Sequence, residues 1–302
     1  MTATPATHYE ARPVDAMAAA IVVAVCLSWG LNQVAIKLTL LDIPPMIQAT
    51  IRSVGALLCI SLWCAVRGVP LLQRDGTLVP GLITGALFGF EFVLIYRGLH
   101  FSLASRASLF VYVAPFLVAL GGTFFLPGEK MRLGQWLGLA LSFIGIAVAL
   151  GVPQAASNAR MFAGDLMLIA GGATWAATTL MIKGSRLRFI APEKTLAYQL
   201  LVSIPILAVS AWVFGEHIPA MPRPASFGWL GYQTVWVVAI TYGIWFALVK
   251  RYSASRLSAF TFLAPLFGVI AAHGILGDPI EWPFAFAAVL VVAGLILVNR
   301  PR

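Results

Sequence analysis

Two tryptophans, Trp29 and Trp175, lie deep within long apolar stretches of the sequence, and each stands eight residues before a lysine. Three residues after them come Asn32 and Thr178, whose side chains carry donors and acceptors. An indole ring offers a large apolar face and one N–H donor, whereas amide and hydroxyl groups in apolar surroundings need hydrogen-bond partners. These residue types suit recognition rather than covalent chemistry. The polar groups can join helices to one another or contact the amino or carboxylate group of a solute, and both interpretations stay open.

Further aromatic residues recur in the same kind of stretch, namely Phe88, Phe92, Tyr96, Phe110, Tyr112, Tyr242, Trp245, Phe246, Phe260 and Phe262. Most of these rings, and the two tryptophans as well, can serve ordinary packing. A cavity lined by rings with few charges nevertheless suits amphipathic solutes with an aromatic or aliphatic side chain. The candidate solute-binding residues are therefore Trp29, Asn32, Phe92, Tyr96, Trp175, Thr178, Tyr242 and Trp245.

Catalytic chemistry has no comparable support in the sequence. An enzyme embedded in a membrane needs clustered His, Asp, Glu or Cys side chains, or a serine-based set. The four histidines lie in the N-terminal tail or near the ends of apolar stretches, and the three cysteines have no metal-ligand spacing. No phosphate-binding glycine motif of an ATPase or a dinucleotide-dependent enzyme occurs. The sequence therefore predicts no catalytic residues, no metal and no cofactor, and it argues against an enzyme.

The composition places these stretches in a membrane. The chain is 60% hydrophobic and only 10% charged, with a mean hydropathy of +0.91, and such a sequence cannot hide its apolar surface in a soluble core. Although the net charge is +9, the basic residues fall in short breaks between apolar runs, which favours a role in topology over nucleic-acid binding. Breaks rich in Pro, Gly or charge leave ten runs, approximately 15–38, 45–66, 78–99, 107–126, 135–151, 164–183, 194–214, 227–249, 257–275 and 283–298.

The distribution of charge predicts the orientation of the ten runs. With a cytoplasmic N-terminus, fourteen of the twenty basic residues lie on the cytoplasmic side and four on the opposite side. Basic residues are enriched on the cytoplasmic side of membrane proteins, so we expect both termini to be cytoplasmic.

A duplicated segment predicts how the two halves relate. Residues 104–115 return as residues 254–265 with seven of twelve residues identical. Five spans per half is an odd number, so the second half must enter the membrane from the opposite side, as in transporters built from inverted repeats. The expected parts are a cytoplasmic tail at 1–14, a first five-helix repeat at 15–151, an external linker at 152–163 and a second, inverted repeat at 164–302.

The duplicated segment also carries candidate hinge residues. Pro115 and Pro265 each remove an amide donor from the middle of a span, so each helix is expected to bend there. Arg106 opens the fourth span on the outer side, and Arg256 opens the ninth on the inner side. The bends are either fixed kinks or mirrored hinges of an outer and an inner gate.

Glu91 is the one carboxylate deep within a span, and Arg52 is its natural partner. At about 1.5 Å per residue both lie about 11–12 Å from the same membrane surface. A lone charge at that depth costs roughly 2.5–3.5 kcal/mol unless it is paired or neutralised. We therefore expect a structural ion pair, with proton coupling or ligand binding as alternatives.

A glycine ladder at Gly81, Gly85 and Gly89 permits close helix approach. It can serve a contact between the two halves or between two copies of the chain, so a homo-oligomer stays open.

These features resemble the drug/metabolite transporter superfamily, and the sequence is most similar to bacterial aromatic amino-acid exporters of the EamA type. The resemblance rests on ten spans in two halves, the Trp and Ile-Lys pattern of the first and sixth spans, Arg52, and the Ala-Ser-Arg block that leads to a proline. It also includes Leu126-Pro127-Gly128-Glu129, which looks like the family's leucine-glycine-glutamate signature. The second half has only Asp278 near the corresponding position, so a transport role for Glu129 is not expected.

The resemblance implies an all-α, multi-pass protein of the bacterial inner membrane, surrounded by lipid and without a nucleic-acid partner. It further implies export of amino acids, aromatic and other mostly neutral ones, by alternating access through a central aromatic-lined cavity. The alternatives are a broad-specificity drug or metabolite exporter of the same fold and, third, a channel, although the sequence lacks charge rings and a filter-like motif.

Overall fold

The computed structural model of the chain describes residues 12–102, 109–150, 158–277, 279–280 and 282–300. Within these ranges every regular element is helical, apart from one isolated bridge between Arg12 and Tyr252. The apolar helices are α1 Ala16–Thr39, α2 Pro45–Arg67, α3 Leu78–Phe101, α4 Leu109–Phe125, α5 Leu133–Leu150, α6 Ala159–Gly184, α7 Pro192–Val213, α8 Pro224–Arg251, α9 Ala254–Leu276 and α10 Pro283–Asn299. Each overlaps one of the ten runs, which confirms the all-helical fold class.

Length and composition identify most of these helices as membrane spans. Within the described ranges, eight helices are long and apolar enough to cross a bilayer, whereas α4 and α10 are shorter apolar helices. The protein is therefore a multi-pass membrane protein, and the number of crossings stays a prediction.

Local sequence explains where the helices begin and end. The N-terminus of α1 is capped by Asp15, whose carboxylate accepts a hydrogen bond from the Ala18 amide at 2.8 Å. Helices α2 and α7 begin with Pro45 and Pro192, a position at which the missing amide donor has no helical acceptor to lose. Helix α2 ends at Gly68, whose φ of 65° is the left-handed cap that glycine adopts without strain.

The glycine ladder of α3 brings the two halves of the chain into close contact. A Cβ atom on Gly81 would lie 2.6 Å from the ring of Tyr198, and one on Gly85 would lie 2.6 Å from the Cβ atom of Val202. Gly89 faces the same helix, α7. Of the two roles expected for the ladder, contact between the halves is therefore the one that the structure shows.

The packing of helices follows a regular scheme in which helix n corresponds to helix n + 5. Helices α2 and α7 pack on each other, as do α5 and α10. The contact of α1 with α9 corresponds to that of α6 with α4, and the contacts of α3 with α6 and α7 correspond to those of α8 with α1 and α2. If each helix is replaced by its counterpart in the other half, every contacting pair named here becomes another contacting pair.

Both helices of the duplicated segment are interrupted directly before their prolines. Helix α4 breaks at Tyr112 and Val113, and α9 breaks at Thr261 and Phe262. At the second break the Ala264 amide donates to the Thr261 carbonyl at 3.0 Å, a tighter turn than that of an α-helix. The structure thus interrupts both helices directly before the prolines at which bends are expected, and a role of these positions as hinges stays a proposal.

We predict that Gly85→Val destabilises the protein. The new side chain would overlap Val202 and the backbone of α7, and forcing extra carbon atoms into a packed interface typically costs about 1–3 kcal/mol. The measurement is thermal unfolding in detergent, with Gly274→Val as the matched control, because nothing lies within 4 Å of a Cβ atom at Gly274. The melting temperature should fall for Gly85→Val and not for Gly274→Val; equal values would contradict the packing described here.

Candidate functional site

Trp29 is the centre of an aromatic cluster in which helices from both halves meet. Its ring centroid lies 5.3 Å from that of Trp245 and 5.7 Å from that of Tyr242, both on α8, and 6.5 Å from that of Trp175 on α6. All three contacts are edge-on, the arrangement that aromatic rings favour. The Trp29 Nε1 atom donates a hydrogen bond to the Thr241 hydroxyl at 3.0 Å. Four of the candidate solute-binding residues are thus in one cluster.

An unusual segment of α8 positions these partners. Residues Tyr232–Thr241 form a π-helix, and regular α-helix resumes at Tyr242. Because π-helical bonding spans five residues instead of four, it rotates the following residues relative to a regular helix, and such segments are frequent at functional sites. The sequence carried no recognisable signal for this segment, so it was not predicted.

The cluster continues along α3. The Tyr242 ring lies 5.9 Å from Phe88, which lies 5.0 Å from Phe92, and Phe92 lies 6.1 Å from Tyr96. All three α3 rings are buried. Phe92 and Tyr96 therefore belong to the same connected row as Trp29.

In the other direction the rings reach the two broken helices. The ring of Trp175 lies 5.9 Å from Tyr112, and Tyr112 lies 6.2 Å from Phe262. Tyr112 and Phe262 stand at the interruptions of α4 and α9. The row of rings thus connects the candidate solute-binding residues with both candidate hinges.

Two of the candidate polar residues, Asn32 and Thr178, follow Trp29 and Trp175 by three residues, about one helical turn. The Asn32 Oδ1 atom and the Thr178 hydroxyl are both buried, and neither has a partner among the described residues. Neighbouring hydroxyls are satisfied within their own helix, since Thr179 donates to the Trp175 carbonyl at 3.1 Å. Asn32 Oδ1 and the Thr178 hydroxyl therefore do not make the interhelical hydrogen bonds that were one of the two interpretations.

The expected ion pair between Arg52 and Glu91 is wrong for this conformation. In the described part of the chain no nitrogen of Arg52 lies within 4.0 Å of a Glu91 oxygen, and the guanidinium carbon lies 4.4 Å from the centroid of the Phe92 ring. Successive residues of an α-helix differ in direction by about 100°, so a guanidinium that stacks on Phe92 does not also face Glu91. The Glu91 backbone lies against Gly171 of α6.

A buried polar network closes the end of the molecule at which α9 begins. Glu129, in the loop between α4 and α5, is 2% exposed, and its Oε1 atom lies 2.7 Å from the Lys183 ammonium at the end of α6. The Ser253 hydroxyl donates to Glu129 Oε2 at 2.6 Å, and the Ala254 amide donates to Oε1 at 2.8 Å. A carboxylate at this place also satisfies the positive N-terminus of a helix.

The charge state of Glu129 follows from these contacts. Burial works against ionisation of the carboxyl, but the charge and hydrogen bond of Lys183 and the donors from Ser253 and Ala254 outweigh it, so the pKa of Glu129 lies below its ordinary value. Glu129 is therefore ionised at neutral pH, as the ion pair requires. The sequence did not suggest a role for it because its partners lie 54 or more residues away along the chain.

The network extends to the start of α1. Lys183 also donates to the Tyr252 carbonyl, and the Tyr252 hydroxyl donates to Asp15 at 2.8 Å. At the opposite end of α1 the contacts are more exposed: the carboxylate of Asp42 lies 3.0 Å from Arg223, whose side chain is 59% exposed. The contacts at the Glu129 end of the bundle are thus more buried than those at the Asp42 end.

The candidate gating residues divide between described and undescribed parts of the chain. Arg106 lies outside the described residues. Arg256 lies in the first turn of α9, where its amide donates to the Ser253 hydroxyl at 3.4 Å. It is therefore held next to the Glu129 network.

The structure also has cavities away from the rings. One of about 530 Å³ lies between the loops that follow α2 and α6 and is lined by residues including Asp75, Arg186 and Lys194. A second, of about 370 Å³, lies on the outer side of α1 beside Tyr232 and Trp236. Neither of these two cavities is lined by Trp29, Trp175, Tyr242 or Trp245.

The chain has clear relatives among known proteins. The model of the EamA-like transporter family matches residues 16–151 and 162–300. The uncharacterized transporter YvbV of Bacillus subtilis is 30% identical over 280 residues, which cover 90% of this chain and 88% of the relative. A probable amino-acid metabolite efflux pump of Salmonella typhimurium is 29% identical over 283 residues, which cover 89% of this chain and 90% of the relative.

Solved structures agree with the fold. One crystal structure that is 21% identical in sequence superposes with a TM-score of 0.80 and covers 94% of this chain and 96% of that chain. The match of the family model to both halves, together with the helical membrane fold, establishes the family. The chain belongs to the EamA-like transporter family, within the drug/metabolite transporter superfamily, and is a membrane transporter.

Proposed function

We propose that this protein exports amino acids, aromatic and other mostly neutral ones, across the bacterial inner membrane by alternating access. The observation that carries the proposal is the Trp29 cluster, which joins α1 with α6 and α8 and thus lies where the two halves meet. Substrate sites of inverted-repeat carriers are expected at this interface. The name of the Salmonella relative, a probable amino-acid metabolite efflux pump, supports the solute class.

The proposed architecture is two inverted five-helix repeats with cytoplasmic termini. Two observations support it: the family model matches the chain twice, once in each half, and the helix pairs are exchanged into one another when the halves are exchanged. The positive-inside rule supports the orientation. The Glu129 network then lies at the cytoplasmic end, and the present conformation has its cytoplasmic gate closed.

Exchange in proteoliposomes tests the solute class. Vesicles loaded with one unlabelled amino acid should accumulate the labelled form of the same amino acid, with the strongest signal for aromatic side chains. The panel should contain aromatic, aliphatic and charged amino acids, with and without a proton gradient, and empty liposomes as the control. Absence of counterflow for every amino acid would refute the assignment, and counterflow of bulky organic amines alone would favour a broad-specificity exporter of the same fold.

Replacement of Trp29 should weaken solute binding. Trp29→Ala removes the central ring of the cluster, and one contact of this ring with an aromatic side chain of the solute is worth about 0.5–1.5 kcal/mol. We expect the half-saturating concentration of the best amino acid to rise by up to about tenfold, because 1.4 kcal/mol corresponds to a factor of ten, and Trp29→Phe should cause a smaller change. Trp212→Ala is the control, since Trp212 is 81% exposed; similar effects at Trp29 and Trp212 would exclude a site at the cluster.

Neutralising Glu129 should open the cytoplasmic gate. Glu129→Gln leaves the Lys183 ammonium buried without its ion-pair partner, and breaking a buried ion pair typically costs about 3–5 kcal/mol. In a background without Cys26, Cys59 and Cys64, a cysteine replacing the buried Ser255 should react with a maleimide at least about tenfold faster after Glu129→Gln.

The control for this prediction is Glu216→Gln at the opposite end of the bundle. The Glu216 carboxylate accepts hydrogen bonds from the amides of Met46 and Ile47 at 2.9 and 3.1 Å. Its loss should therefore leave the reactivity at position 255 unchanged. Equal labelling rates at position 255 in the protein with both glutamates, in Glu129→Gln and in Glu216→Gln would show that Glu129 does not hold the gate closed.

Pro265 should matter for turnover more than for binding. Pro265→Ala restores an amide donor next to the break in α9 and stiffens the helix. The maximal exchange rate should then fall several-fold more than the affinity. Pro205→Ala is the matched control, because Pro205 lies on the exposed side of the continuous helix α7. Parallel losses of rate and affinity in Pro265→Ala would rule out a hinge.

A further inference from the structure

Arg52 carries a positive charge in the interior of the protein. The residue is 1% exposed and lies in the third turn of the membrane helix α2. Among the described residues no Asp or Glu oxygen lies within 4.0 Å of its nitrogens. A buried charge inside a membrane protein costs several kcal/mol and marks a functional site when it is left unpaired.

The unpartnered atoms of Arg52 have a specific geometry. Its Nε and Nη2 atoms have no hydrogen-bond acceptor within the described part of the chain. These two nitrogens form one edge of the planar guanidinium group, from which two N–H bonds point in parallel. A carboxylate offers two oxygens at the matching spacing and accepts both bonds at once. The open edge of Arg52 is thus complementary to a carboxylate in charge and in shape.

The open edge of the Arg52 guanidinium lies next to the row of aromatic rings that leads to Trp29. Its guanidinium carbon lies 4.4 Å from the centroid of the Phe92 ring, a contact that holds the group by a cation–π interaction. Phe92 is 5.0 Å from Phe88, which is 5.9 Å from Tyr242, the neighbour of Trp29. A solute whose carboxylate contacts Arg52 therefore has aromatic surface directly beside it for its side chain.

We propose that Arg52 binds the carboxylate of the transported solute through Nε and Nη2, so that the protein selects carboxylate-bearing solutes. The inference rests on the proposed function, because it places the anchor in the same aromatic row, and it adds the residue and the chemical group that discriminate among solutes. An amino acid completes the missing ion pair, whereas the corresponding amide or amine leaves the guanidinium unpaired. The preference for carboxylate-bearing solutes then arises because only a carboxylate satisfies the guanidinium group of Arg52.

Competition binding on the purified wild-type protein in detergent tests the selection. The probes are L-phenylalanine, L-phenylalaninamide, 3-phenylpropionate and phenethylamine. L-phenylalanine and 3-phenylpropionate should bind at least about tenfold more tightly than the amide and the amine, since hydrogen bonds to charged groups are the strong ones. Equal affinity for the acid and the amide would overturn the proposal.

Variants assign the selection to Arg52. Arg52→Gln should weaken L-phenylalanine at least about tenfold and leave L-phenylalaninamide unchanged, and Arg52→Lys should restore part of the preference, because it keeps the charge but not the fork. Arg67→Gln is the matched control: Arg67 also stacks on a ring, at 5.4 Å from Trp63, but lies at the exposed end of α2. An equal loss for acid and amide in Arg52→Gln would show a structural role instead.

Glu91→Gln separates the competing explanation. If Glu91 were the permanent partner of Arg52, its neutralisation would change the preference for the acid over the amide; we expect the preference to persist. The outcome is also distinguishable from failure of the proposed function. Selection for carboxylates that depends on Arg52, without counterflow of any amino acid, would refute amino-acid export and retain Arg52 as the carboxylate-binding residue. Counterflow of amino acids without a preference for the acid over the amide would retain amino-acid export and refute this role of Arg52.

Discussion

A buried ion pair between Glu129 and Lys183 holds together the end of the bundle where three chain segments meet. Its atoms lie 2.7 Å apart, and the carboxylate also accepts bonds from the segment that begins α9. A charge in an apolar interior is tolerated only when it is paired, so the loop after α4, the end of α6 and the start of α9 cannot separate independently. One contact thus couples the closure of this end to the position of α9 and, through its break before Pro265, to the row of rings.

Buried polar groups also lie in the middle of the molecule. Asn32, Arg52 and Thr178 are buried polar residues with atoms that have no partner within the described structure. In a purely structural core such groups would be a defect. Under the proposed function, the free energy of satisfying these groups would become available only when a solute enters.

Much of this architecture follows from the sequence, because apolar runs, prolines and glycines act locally. The aromatic cluster was also accessible, since Trp29 lies too deep in its run for an interfacial tryptophan. Three features were not. The π-helical segment before Tyr242 has no local sequence signal. Arg52 contacts Phe92 and not Glu91, and a helix rotation of one residue decides between these two neighbours. The bonds of Glu129 depend on segments that are distant along the chain.

Reciprocal movement of the two ends is the central claim, and distances between spin labels measure it directly. One pair of labels at the exposed Lys130 and Arg251 spans the Glu129 end, and a second pair at His100 and Trp282 spans the opposite end. With a transported amino acid present in lipid nanodiscs, the first distance should lengthen in the molecules in which the second shortens. Two distance distributions that stay fixed in a protein active in exchange would contradict alternating access.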